Sequence, residues 1–274
     1  MVYSSRLIVA ALLLTIVVFQ TGSANTQSPP AIPDGYGSTL GRDEIFHLAN
    51  EYYRNGNLDK ALNGYLYLVE LGVSNGYLFY NLANTYFRNG FLGEAIVWYE
   101  RASRYCPRDR DLQLNFEYAK SNLLDEEFRA PAYGGTVGFL QRLHRLLNVR
   151  ESVIGLLILT WLFFAVLIAL LLIRSDRWKS WLRLPCWLLG IAFVLCLFST
   201  GWKIYHYEFV VEAIVVESAV EVKTGPNDSL STSFSIHEGT KVRVVQEQGD
   251  WRRIVLPGES SFNGWVLEKA IRII

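Results

Sequence analysis

Two long stretches of this chain carry no charged side chain: Val153 to Ile173, twenty-one residues, and Leu184 to Trp202, nineteen residues. As helices they would rise about 32 Å and about 28 Å, enough to cross a hydrocarbon core of about 30 Å. Both are apolar on every side, so burying them in water would need a larger soluble domain than the rest of the chain can build. A two-helix hairpin in a membrane (153–173 and 184–202) is therefore expected, and the other segments must fold as modules outside it. Neither stretch holds a carboxylate, histidine or lysine, the usual mark of an ion or proton path, so the spans read as an anchor and not as a transporter.

The segment between the spans, 174–183, carries Arg174, Arg177, Lys179 and Arg183 against Asp176 alone, which predicts a cytoplasmic loop. Trp178, Trp181, Trp187, Trp202, Tyr205 and Tyr207 fall where interfacial aromatics belong. At the N-terminus, Arg6, the apolar run Leu7 to Phe19 and the small residues Gly22-Ser23-Ala24 fit a secretory signal peptide over 1–24. An exported N-terminal half followed by two spans brings the C-terminal part back to the outer side. Upstream of the first span, in a linker and juxtamembrane segment over 128–152, Val137, Leu140, Leu143 and Leu147 oppose Arg142, His144 and Arg145. Such a stretch is suited to lie along a membrane surface.

After a Pro- and Gly-containing linker over 25–40, the chain repeats itself. Ala49 and Ala83, Tyr52 and Tyr86, Arg54 and Arg88, Gly56 and Gly90, Ala61 and Ala95, and Tyr65 and Tyr99 are each thirty-four residues apart. With Leu82, Ala102 and Pro107 added, the second copy resembles the tetratricopeptide repeat, and the first, lacking the closing proline, resembles it less completely. The resemblance implies helical hairpins over 41–127, with small residues allowing close helix approach and Gly56 and Gly90 at the turns. A helix from Asp109 to Leu124, with Leu112, Phe116 and Ala119 at helical spacing, is expected to cover the open end, since two repeats alone make a marginal stack. By the family's geometry the first helices of each hairpin line a groove presenting Phe46, Asn50, Tyr53 and Arg54 beside Tyr80, Asn84, Phe87 and Arg88. Two readings stay open: the face grips an extended peptide or carboxylate, with Asn50, Tyr53, Arg54, Tyr80, Asn84, Phe87 and Arg88 as its protein-binding residues, or these side chains merely cover the helices.

Beyond Tyr207 the pattern changes to short alternating segments, Ala213 to Val216, Val220 to Val222, Thr240 to Val245, Arg252 to Leu256 and Gly264 to Val266, which predict a small all-β module over 208–274. Val220, Val222, Gly225-Pro226, Glu238-Gly239-Thr240, Trp251, Gly264-Trp265-Val266 and Ile271 resemble the bacterial SH3-like barrel. That family implies ligands on its outer face, cell-wall (peptidoglycan) peptides among them, so a wall anchor is the alternative to a protein scaffold. The expected fold class is thus multidomain: tetratricopeptide hairpins, a transmembrane hairpin and a small all-β SH3-like barrel.

Catalysis finds no support in the residues. His47, His144, His206 and His237 lack metal-ligand spacing, Cys106 has no evident base, and Lys223-Thr224-Gly225 lacks the other elements of penicillin-recognising enzymes. Neither an enzyme nor a metal or other cofactor is expected. With 26 basic and 26 acidic residues there is no global field to gather nucleic acid. The order of modules resembles the BatE-like proteins of the bacterial aerotolerance operon. That resemblance implies an inner-membrane, multi-pass protein with repeats and barrel on the periplasmic side, working beside von Willebrand A-type membrane proteins and a MoxR-type ATPase.

Overall fold

The computed structural model describes residues 32–37, 40–125, 144, 146–257 and 259–274. The expected signal peptide over 1–24, most of the expected linker over 25–40 and most of the juxtamembrane segment expected over 128–152 lie outside these residues. Helices α1 (Arg42–Arg54), α2 (Leu58–Glu70), α3 (Gly76–Arg88), α4 (Leu92–Tyr105) and α5 (Arg110–Ser121) come first. The long helices α6 (Val149–Leu172) and α7 (Asp176–Phe209) follow. Strands β1 (Glu212–Val215), β2 (Ala219–Lys223), β3 (Thr232–His237), β4 (Lys241–Gln248), β5 (Trp251–Leu256), β6 (Glu259–Leu267) and β7 (Ile271–Ile273) complete the chain.

Helices α1/α2 and α3/α4 form two hairpins. Ala49, Ala61, Ala83 and Ala95 have no exposed surface, and the buried rings of Tyr65 and Tyr99 fill the space beside them. The left-handed turn residues Gly56 (φ 80°) and Gly90 (φ 84°) reverse the chain at equivalent points, a conformation other residues adopt only with strain. Helix α5 begins thirty-four residues after α3, which begins thirty-four after α1, so it is the first helix of a third unit as well as a cover. Its Asp109 cap accepts from the Leu112 amide at 3.0 Å, while Leu112, Phe116 and Ala119 bury against the preceding hairpin. Within the segment read as a linker over 25–40, Tyr36 packs on the helical module. This ring is 7% exposed, lies over Gly64 and donates to the Lys60 carbonyl at 2.9 Å.

Helices α6 and α7 pair with each other and expose most of their apolar surface, Trp161, Leu171 and Phe198 included. Both are long and apolar enough to cross a membrane. Their limits correct the expected loop over 174–183: α7 already begins at Asp176, so Arg177, Lys179 and Arg183 sit on a helix and the turn is Ile173 to Ser175. Asp176 at the helix start suits the positive end of the dipole. Near the opposite end, Lys203 is 6% exposed; its ammonium donates to the carbonyls of His144 (2.8 Å) and Leu147 (2.7 Å) and to Ser152 Oγ (3.1 Å). The capping box of Asn148 and Glu151 starts α6 beside it, and Arg108 of the helical module pairs with Glu151.

The strands form one antiparallel sheet in the order β3-β2-β6-β5-β4-β1-β7. Val222 and Ile236, near one edge, share a single core with Val215 and Ile271, near the other, so the sheet curls around its own apolar face. Five of the seven strands fall on segments the alternation marks; β3 and β7 do not. In β3 only Phe234 and Ile236 are apolar, among Ser, Thr and His, and β7 is three residues long.

The β module docks on α4. Ile214 of β1 is buried in the core of the helical hairpins, not in that of its own sheet. Gly93 allows this approach: a Cβ there would lie 2.7 Å from the Val215 carbonyl oxygen and 2.8 Å from Val216 Cα. The start of α4 has no side-chain cap of its own, and Glu238 of the β3–β4 turn supplies one by accepting from the Gly93 amide at 3.0 Å. Nearby, Asp125 accepts from the His237 amide (2.7 Å) and Thr240 Oγ1 (2.6 Å) and contacts His237 Nδ1 (2.8 Å). Burial opposes ionisation of Asp125, but these hydrogen bonds outweigh it and hold its carboxyl below the usual range. Lys241 reaches Glu212 at 2.9 Å and Glu100 at 3.6 Å; burial works against its charge, and the two carboxylates more than restore it. Arg272 pairs with Glu94 at 3.3 Å, and Arg101 donates to the Ile273 carbonyl at 2.7 Å.

Candidate functional site: the face of α1, α3 and α5

The seven residues proposed from sequence come together on the side formed by α1, α3 and α5. Asn50 and Asn84 occupy equivalent positions with equivalent partners. Tyr65 Oη donates to Asn50 Oδ1 at 2.6 Å, and Tyr99 Oη to Asn84 Oδ1 at 2.6 Å. The same oxygens accept from the next first-type helix: Asn81 Nδ2 reaches Asn50 at 2.8 Å, and Asn115 Nδ2 reaches Asn84 at 3.1 Å. Each member of the first trio lies thirty-four residues before its counterpart, so the repeat extends into α5 through Asn115. Burial raises the phenol pKa of Tyr65 and Tyr99, which keeps both as hydrogen donors. The asparagines thus serve first as joints between helices.

Aromatic and basic groups surround this ladder. The Arg88 guanidinium lies 4.6 Å from the Tyr53 ring centroid and donates to the Tyr53 carbonyl at 3.1 Å, joining α3 to α1. Phe87 meets Tyr118 edge-on at 5.6 Å, and Asn115 Nδ2 donates to Tyr80 Oη at 2.7 Å. Burial raises the Tyr80 pKa, the Asn84 contact opposes the rise, and Asp111 and Asp109 add to it. Arg54 is exposed. Leu114 and Tyr118, exposed by 58% and 63%, continue the face on α5. The sequence reading passed over Asn115 and Tyr118, although the thirty-four-residue step from Asn81 points to Asn115.

A concavity lies on the β module, where Glu217, Glu221, Lys223, Asp228 and Trp251 line a cleft of ≈ 160 Å³. Lys223 is held by Glu221 (2.6 Å) and Thr232 (3.0 Å). Trp265 is 8% exposed and serves the fold.

Two other groupings, Asp125 with His237 and Thr240, and Cys106, have structural roles. Asp125 binds both His237 and Thr240, but the Thr240 hydroxyl donates to the carboxylate and not to the imidazole, which is not the order that activates a nucleophile. Burial, with Asp109 nearby, raises the Cys106 thiol pKa, and its Sγ packs against Gly76, where a Cβ would come within 2.4 Å. Among the described residues no three His, Cys, Asp or Glu side chains converge as around a metal ion. Comparison with protein-family models and with characterised proteins returns no match.

Proposed function

We propose that the chain is a membrane-anchored scaffold that captures a segment of a protein partner on the face of α1, α3 and α5, in an envelope-stress or aerotolerance complex. In this reading the helical module is a tetratricopeptide-type array and the β module an SH3-like barrel, both on the periplasmic side of a bacterial inner membrane. The observation that carries it is the repeated Asn-Tyr-Asn ladder. It builds a rigid polar floor across three helices, flanked by Arg54, Arg88, Tyr53 and Tyr118, which are suited to an extended backbone or a carboxylate. The docking of both modules on each other supports a common side, because α6 and α7 then leave from and return to one end of the hairpin. On the BatE-like resemblance the partners are von Willebrand A-type membrane proteins served by a MoxR-type ATPase.

The test is affinity purification of the tagged full-length chain from detergent-solubilised native membranes, beside Arg54→Ala/Tyr118→Ala. Both are exposed positions whose loss leaves the ladder intact. Membrane proteins with von Willebrand A-type domains should accompany the parent and fall at least tenfold with the double variant. Equal recovery with both proteins, or wall fragments as the only ligand, would overturn the reading.

A further inference from the structure

Between α6 and α7 an apolar groove of ≈ 690 Å³ is lined by Phe163, Leu170, Trp187, Gly190 and Val194, and Arg183 is the one charged residue lining it. The notch exists because Gly190 has no side chain; a Cβ there would already stand 3.3 Å from the Phe163 ring, which stacks on Phe193 at 5.8 Å. The stack also fixes the level of Arg183. Phe163 precedes the end of α6 at Leu172 by nine residues, and Phe193 follows Arg183 by ten, so in this antiparallel pair Arg183 stands level with the end of α6. The first two turns of α7 project beyond that level with Arg177, Lys179 and the exposed Trp178 and Trp181. From Arg183 to Leu195 the groove runs about 18 Å along α7. That is close to one leaflet, half of a hydrocarbon core of about 30 Å.

We propose that this groove is a binding site for one anionic phospholipid, its acyl chain along Gly190 and its phosphate at Arg183. The site rests on the reading of α6 and α7 as membrane spans. A partner's transmembrane helix would need an apolar surface across the whole bilayer, whereas this groove spans a single leaflet and has a cation at its mouth. The surrounding Arg174, Arg177 and Lys179, against Asp176, add the field that draws a negative headgroup.

The test is native mass spectrometry of the full-length protein released from nanodiscs of equal phosphatidylglycerol and phosphatidylcholine. Arg183→Gln and Val194→Trp are compared with the parent; Val194 is 61% exposed on the groove rim, so the bulky residue fills space without entering the helix contact. The parent should retain phosphatidylglycerol over phosphatidylcholine by about fivefold, Arg183→Gln should lower that preference to the part the neighbouring Arg174, Arg177 and Lys179 supply, about twofold or less, and Val194→Trp should reduce both lipids. Glycerol phosphate in excess should not displace the lipid. Equal retention of the two lipids by the parent, or a preference unchanged in both variants, overturns the site. So does a second copy or another protein that Val194→Trp displaces while lipid retention stays constant. Extraction of the chain from membranes by alkaline carbonate would overturn the membrane reading itself, and the site with it; an integral chain without lipid preference overturns the site alone.

Discussion

Gly93→Ala separates a docked β module from a tethered one by the sign of its effect. On an exposed helix, Gly to Ala stabilises by about 1 kcal/mol. Here the new methyl would meet the Val215 carbonyl oxygen at 2.7 Å and Val216 Cα at 2.8 Å, both main-chain atoms that no rotamer change can move aside. Restoring ordinary contact requires α4 and β1 to separate by about 0.5 Å, and overpacking of this kind costs about 2 kcal/mol. The same shift lengthens the bond from the Gly93 amide to Glu238, now 3.0 Å, and loosens Ile214 in the helical core. The net expectation is a loss of about 1 kcal/mol, a Tm lower by about 3 °C for a chain of this size. Amide exchange at Gly239, which donates to the Val215 carbonyl at 2.7 Å, should accelerate. Thermal unfolding and hydrogen exchange of the full-length protein in detergent measure both. A higher Tm with unchanged exchange at Gly239 would refute the docking of β1 on α4.

Three further outcomes follow from the same geometry. Asn84→Ala strands the buried Tyr99 hydroxyl and should cost about 1–3 kcal/mol in chemical denaturation, with Tyr99→Phe in the same chain recovering part of it; no recovery would count against the ladder. Because Asp125 has a lowered pKa in the folded protein, its contribution is complete above the unfolded value of about 3.9 and is lost as pH falls through that value to the lower folded one. The protection of the His237 amide, taken relative to its intrinsic exchange rate at each pH, should therefore fall below about pH 4, and Asp125→Asn should remove that pH dependence; an identical protection profile in the variant would contradict the assignment. Lys203→Met removes a charged donor from two carbonyls and should cost about 2 kcal/mol locally, seen as faster proteolysis near residues 144–148 at unchanged global Tm. Unaltered proteolysis would deny Lys203 that role.

The helical half was legible because its constraints are local and periodic. A thirty-four-residue identity at Ala49/Ala83, Gly56/Gly90 and Tyr65/Tyr99 reports helix approach, turn and filling residue at once. The two apolar helices were legible for the same reason, though their ends were not. Arg177, Lys179 and Arg183 looked like a loop because charge was the cue, yet α7 starts at Asp176 and continues through Pro185, which lies inside the helix. The contact between modules was invisible, since it rests on Gly93, Glu238 and Asp125, which lie 112 or more residues from their partners and belong to no common motif. On the candidate face the seven residues were named, but their mutual hydrogen bonds were not, because a surface-facing asparagine and a joint between helices read alike in one sequence. Strand β3 escaped because Ser and Thr at its outward positions resemble a loop; pairing with β2, Val220 opposite Ile236, makes it a strand.

The central claim is that the helical and β modules share one side of a membrane and the α6–α7 turn the other. Thiol labelling of intact cells tests it most directly, with Cys106, Cys186 and Cys196 replaced by serine or alanine and single cysteines placed at the exposed Asn55, Glu217 or Ser180. The account predicts that a membrane-impermeant maleimide modifies the first two positions in intact cells and reaches position 180 only after permeabilisation. Labelling of positions 55 and 217 under opposite conditions, or of all three in intact cells, would contradict it.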